Sequence, residues 1–164
     1  MFMMKRLSAA LLLSAAAMFS TTVLAADTAP DFKLPSAKGM VELSKLKGKV
    51  VYVDFWASWC TPCRKSFPWM NTLYKKYKDQ GLEVIAVNLD KSREPIDEFL
   101  SKTPVDFTIA YDPSGGAAAN YKVSGMPSTY LIDRSGQLQV SHIGFRDKDK
   151  DEIEGKIKEL LAKK

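Results

Sequence analysis

The run Lys49-Val50-Val51-Tyr52-Val53-Asp54-Phe55 restricts this chain most, because it ends a few residues before Trp59-Cys60-Thr61-Pro62-Cys63. A β-branched and aromatic stretch of this length reads as a buried central strand. Beyond it, Phe67, Met70, Leu73, Tyr74 and Tyr77 recur at three- and four-residue spacings, which predicts a helix over Cys60 to Gln80 with Gly81 as its stop. Pro62 falls in the first turn, where its missing N–H costs nothing. Pro68 falls inside, where it should kink the helix. The chain must therefore fold as a strand, a short loop, and a helix that opens on two cysteines three residues apart.

That arrangement has a chemical consequence. The N-terminus of a helix carries about half a positive charge and free N–H groups. A thiol on the first turn, Cys60, is expected to ionise more readily than a free cysteine, the condition for attack on a disulfide. Cys63, one turn on and on the same face, can then attack the mixed disulfide and release it. Competing readings fit less well. A disulfide closing so short a loop gains little stability, because the gain grows with loop length. Two Cys and one His in the whole chain cannot close the four-ligand Cys/His shell of a structural zinc site. A c-type haem site needs His after the second cysteine, where Arg64 stands.

The rest of the chain reads as one α/β unit. Strands are expected at Phe32–Leu34, Met40–Leu43, Leu82–Leu89, Phe107–Tyr111, Ser128–Asp133 and Leu138–Gly144. Helices are expected at Pro95–Lys102, Ala117–Tyr121 and, as an amphipathic close, Asp147–Lys164. This order implies a sheet between helical layers, with strands joined through helices parallel and the late hairpin antiparallel. A net charge of +5 over 164 residues is too weak and dispersed to point to nucleic acid.

The N-terminus reads as an address. Lys5 and Arg6 precede an apolar run from Leu7 to Phe19, and Val23-Leu24-Ala25 supplies small or aliphatic residues for cleavage. Residues 1–25 are expected to be a signal peptide and residues 26–164 the folded domain. The apolar run is shorter than the ~20 residues a membrane helix needs, so no membrane span is expected after cleavage.

The segment Val53-Asp54-Phe55-Trp56-Ala57-Ser58-Trp59-Cys60-Thr61-Pro62-Cys63 resembles the active-site segment of the thioredoxin superfamily. Asp54 stands where thioredoxins carry a buried acid, Pro68 where they have a helix kink, and Met126-Pro127 where they have a cis-proline loop before a strand. The Pro30-Asp31-Phe32 start and Leu46-Lys47-Gly48-Lys49-Val50 are similar to the exported, membrane-associated or periplasmic thioredoxin-like proteins of the TlpA and ResA types, with Lys91–Tyr111 as their central helical insertion. The resemblance implies a three-layer α/β sandwich: a central mixed sheet with helices on both faces and an N-terminal β-hairpin. Two positions depart from the cytochrome-maturation members. Ser66 stands where many carry an acid and Asp54 where many carry Asn, which moves the mechanism toward general thioredoxin chemistry.

The resemblance also implies roles. Cys60 is the nucleophile, Cys63 the resolving thiol, Asp54 a desolvated carboxyl exchanging protons with Cys63 through water, and Pro127 a cis residue. Substrate contact is expected from Met126 beside it and from an exposed rim of Trp59, Thr61, Pro62, Ile143 and Gly144. Trp56 is expected in the core, and His142 is given no role. The expected activity is exported thiol–disulfide exchange, as a reductase of periplasmic protein disulfides. The partners are disulfide-containing proteins and a membrane thiol-electron transporter, and no cofactor is expected. A thiol oxidase and a copper chaperone using His142 are the alternatives.

Overall fold

A computed structural model of the chain describes residues 27–163, so the expected signal peptide lies outside the described residues. The first strands are β1 (Lys33–Ser36) and β2 (Gly39–Glu42), an antiparallel hairpin. Both differ from the expected Phe32–Leu34 and Met40–Leu43. Pro35 and Ser36 join the strand, because the turn tightens to Ala37-Lys38. The Ser36 hydroxyl donates to the Gly39 carbonyl at 2.7 Å, and Gly39 takes φ 107°, a left-handed backbone open mainly to glycine.

The central strand β3 (Val50–Trp56) is buried along its whole length. It leads into α1 (Thr61–Tyr77), after which a 3-10 turn covers the rest of the expected helix. Then come β4 (Leu82–Asn88), α2 (Glu94–Lys102) and β5 (Thr108–Tyr111). The segment expected as a central insertion is thus α2 with β5, built into the sheet as a further strand–helix–strand step. Next follow α3 (Gly116–Asn120), β6 (Ser128–Ile132), β7 (Leu138–Ile143) and α4 (Lys150–Ala162). One seven-stranded sheet results, in the order β2-β1-β5-β4-β3-β6-β7.

β3, β4 and β5 are parallel. Their two crossovers step the same way along the sheet, so a common handedness puts α1 and α2 on one face. β6 corrects the expectation that every strand reached through a helix is parallel, because it runs antiparallel to β3. The reason is length. α3 has five residues, a rise of roughly 7.5 Å, too short to carry the chain back along the sheet. The chain therefore enters β6 at the end where it left β5, with Ser128 beside Phe55. Asp112 fixes this short helix, accepting from the N–H groups of Gly116, Ala117 and Ala118 at 2.9–3.1 Å.

Two apolar layers sandwich the sheet. On one face Tyr52 and Trp56 pack with Phe67, Met70 and Leu73 of α1, Ile96 of α2, and Ile153, Ile157 and Leu160 of α4. On the other, Val51, Val53 and Phe55 pack with Ala117, Ala118 and Tyr121 around α3. Far from the cysteines, Arg134 gathers four carbonyls from three places. Its guanidinium donates to Gly48 at 2.5 Å, Gln80 at 3.2 Å, Leu161 at 3.1 Å and Lys163 at 3.0 Å.

Candidate active site

Cys60 and Cys63 are joined by a disulfide, S–S 2.05 Å, with Cα atoms 5.3 Å apart. Cys60 is the cap of α1, and its Sγ accepts the Cys63 N–H at 3.3 Å. The cap position follows from the local sequence: Pro62 needs no partner for an N–H, and the Arg64 N–H reaches the Cys60 carbonyl at 3.1 Å. Both sulfur-bearing residues are buried, whereas Trp59 beside them is 70% exposed. Thr61 and Pro62 are exposed as well. The Ser66 hydroxyl donates to the Cys63 carbonyl at 2.8 Å, so this serine braces the helix turn.

The loop before Cys60 is held from a distance. Asp90 accepts from the Ser58 N–H at 2.8 Å, the Ser58 hydroxyl at 3.0 Å and the Asn88 amide at 2.7 Å. A carboxylate with three donors makes a firm anchor, because charge-assisted bonds are shorter and stronger than neutral ones. Neither residue was singled out from the sequence. The polar pair Asn88 and Asp90 at the end of an apolar strand was the available signal.

Asp54 is fully buried. The two-residue period of β3 puts it between Tyr52 and Trp56, on the face that carries α1 and the cysteines. Thr129, directly across the antiparallel pair, donates to its Oδ1 at 2.8 Å. The Tyr52 hydroxyl lies 3.1 Å from the same Thr129 oxygen. Since Thr129 has one proton and gives it to Asp54, Tyr52 supplies the second bond. The Asp54 Oδ2 has no partner among the described residues. Burial pushes the Asp54 carboxyl up to about 7, against the opposing pull of the Thr129 hydroxyl. Burial, and then the Asp54 charge, holds Tyr52 well above the ordinary phenol range, so it remains a donor.

Thr129→Val should therefore remove the donor at Oδ1 and raise the Asp54 pKa further. The pH–rate limb that reports this carboxyl is expected to move up by roughly one pH unit, given the strength of hydrogen bonds to charged groups. Exchange rates measured from pH 5 to 9 check it.

The Met126–Pro127 bond is cis. Pro127 is buried and Met126 half-buried. The Pro127 carbonyl accepts the Gly144 N–H at 2.7 Å, which ties the cis-proline loop to the end of β7. Gly144 takes φ 90°, so this tie favours glycine. Ile143 beside it is 55% exposed. The structure thus joins Met126, Pro127 and Gly144 in one loop pair. Trp56 lies in the core, as expected. His142 faces Asp149, with Nε2 3.3 Å from Oδ2 but without the alignment of a hydrogen bond. No group of three His, Cys, Asp or Glu able to hold a metal occurs among the described residues.

A disulfide-bonded cysteine pair at the start of a helix, a buried acid and a cis-proline together define a thioredoxin-fold thiol–disulfide oxidoreductase. The chain belongs to the AhpC/TSA family, which it matches over residues 25–141. It is 36% identical to the thiol-disulfide oxidoreductase ResA of Bacillus thuringiensis over 133 residues, 80% of this chain and 76% of that one. Among solved structures, a Chlorobium tepidum protein assigned as a thiol:disulfide interchange protein DsbE is 50% identical. It superposes with a TM-score of 0.82 over 84% of this chain and 97% of its own. A Bacteroides thetaiotaomicron protein assigned as a protein disulfide isomerase is 30% identical, with a TM-score of 0.76 over 83% and 89%. The protein is accordingly an enzyme of thiol–disulfide exchange that acts on disulfides.

Proposed function

We propose that the enzyme works outside the cytoplasm, in the periplasm, as a reductase of protein disulfides. The observation that carries this reading is the buried Asp54 carboxyl, pushed up to about 7, with one oxygen free on the cysteine side of the sheet. In the reduced form the Cys60 thiolate attacks one sulfur of a partner disulfide. A Cys60–partner bond forms, the partner bond breaks, and its electron pair leaves on the other partner sulfur. Cys63 then gives its proton to Asp54 through water, attacks Cys60 Sγ, and releases the second partner sulfur as thiolate. Two electrons reach the partner and the Cys60–Cys63 disulfide remains. Thr61 and Pro62 between the cysteines bring no imidazolium that would over-stabilise the reduced thiolate.

The substrate surface in this reading is the exposed Trp59, Thr61 and Pro62 with Met126, Ile143 and Gly144 across the cis-proline loop. An extended partner strand beside Met126 would add main-chain hydrogen bonds. The signal-like residues 1–25 support export. An oxidising compartment does not keep thiols reduced, so a membrane thiol-electron transporter has to return Cys60 and Cys63 to the dithiol. Among the described residues no helix is long and apolar enough to cross a membrane.

Equilibration with glutathione buffers tests the direction of flow. A potential near the ~−270 mV of thioredoxin is expected, and one near the ~−120 mV of DsbA would make the protein an oxidase.

A further inference from the structure

A cavity of about 560 Å³ opens between the first turns of α1 and the length of α2. It reaches residues on both sides of Cys60, since Trp59 and Thr61 line it, and none of Met126, Pro127, Ile143 or Gly144 does. It therefore adjoins the substrate rim at Trp59 and Thr61 and extends from there over α2, away from the cis-proline loop. Its walls carry three cations, Arg64 and Lys65 from α1 and Lys102 from α2, against one carboxylate, Glu98. Arg64 and Lys65 form no salt bridge among the described residues. Lys102 pairs with Glu98 at 2.6 Å, but both side chains are about 70% exposed, and such a pair exchanges readily for another anion. Phe99 and the exposed Trp59 add apolar surface beside these charges.

We propose that this cavity seats an acidic stretch of the partner protein next to its reacting disulfide, so that the enzyme favours partners carrying Asp or Glu close to that sulfur. The proposal rests on the disulfide-exchange reading and leaves its chemistry unchanged. Arg64 offers paired N–H donors to a carboxylate. Lys65 and Lys102 supply charge that raises the encounter rate and fixes which side of the disulfide lies over α2. A chain whose sulfur sits at Cys60 and whose next residues run past Thr61 meets the three cations in turn.

The test uses three peptides that share one disulfide and differ only in flanking residues: aspartate, serine or lysine. Each is mixed with the pre-reduced enzyme, and the second-order rate of single turnover is followed by Trp fluorescence. At low salt the aspartate peptide is expected to react roughly tenfold faster than the lysine peptide, and this ratio should shrink toward one at 0.5 M salt, well beyond ~0.1 M where the screening length is ~10 Å. The R64Q/K65Q double variant should cut the ratio about threefold or more, whereas E98Q, which frees Lys102, should raise it. Removing charge near the cysteines alters reactivity toward all three peptides alike, so the ratio reads the cavity. Equal rates for the three peptides, or a ratio that both variants leave unchanged, overturn the proposal while turnover of the serine peptide upholds disulfide exchange. Failure to turn over even the serine peptide sinks that reading, and the proposal with it.

Discussion

Serine in place of Cys63 is expected to stop turnover while leaving capture intact. Cys60, the cap of α1, still attacks a partner disulfide, but no thiol one turn away can displace the partner. Steady-state reduction should fall by ~10³-fold or more, the scale on which losing a covalent-catalysis partner acts, and mixed disulfides should accumulate on Cys60. Non-reducing gels followed by mass spectrometry would show them. Serine at position 60 should abolish both turnover and capture. A Cys63→Ser protein that captured nothing would reverse the assignment of the two sulfurs, and one that turned over normally would remove Cys63 from the cycle.

The second large effect concerns Asp54. An acid with an ordinary pKa near 3.8 when unfolded and about 7 when folded binds more protons in the native state between those values. Stability therefore falls as pH rises from about 4 to about 7 and levels off beyond, where both states are ionised. At 1.36 kcal/mol per pH unit, this single group costs on the order of 4 kcal/mol at pH 8. Asp54→Asn cannot ionise, so its stability relative to wild type should improve across that window by up to about this amount. Denaturant unfolding at pH 4, 6 and 8 would measure it. The same variant has no carboxylate to take the Cys63 proton, so resolution should slow by about 10²-fold, the low end for general-base loss. Its pH–rate profile should lose the limb near 7. Parallel stability curves for the two proteins would place Asp54 in contact with water.

These two residues differ in how far the sequence reveals them. The cysteine pair and its helix are local: Val50–Trp56, the turn and Cys60–Cys63 lie within one short stretch, and each sets the geometry of the next. The seven strands were legible for the same reason, with boundaries shifted where a turn closed tightly, as at Ser36 and Gly39. Asp54 was legible as a polar residue in an apolar strand. Its partners were not. Thr129 meets it from 75 residues away, through the register of two antiparallel strands. That direction depends on α3 being too short to return the chain, a tertiary fact that the strand patterns do not carry. Asp90 holds Ser58 across 32 residues for a similar reason. The comparison proteins speak for the class of chemistry, while the network that tunes it is visible only once β3 and β6 are side by side.

Arg134 sits at the far pole from the sulfurs, where one planar cation draws together the start of β3, the approach to β4 and the last turn of α4. A machine that repeatedly makes and breaks a covalent link benefits from having its latch elsewhere. None of the four carbonyls held by Arg134 belongs to the cysteine turn, so opening the disulfide is expected to leave that latch in place.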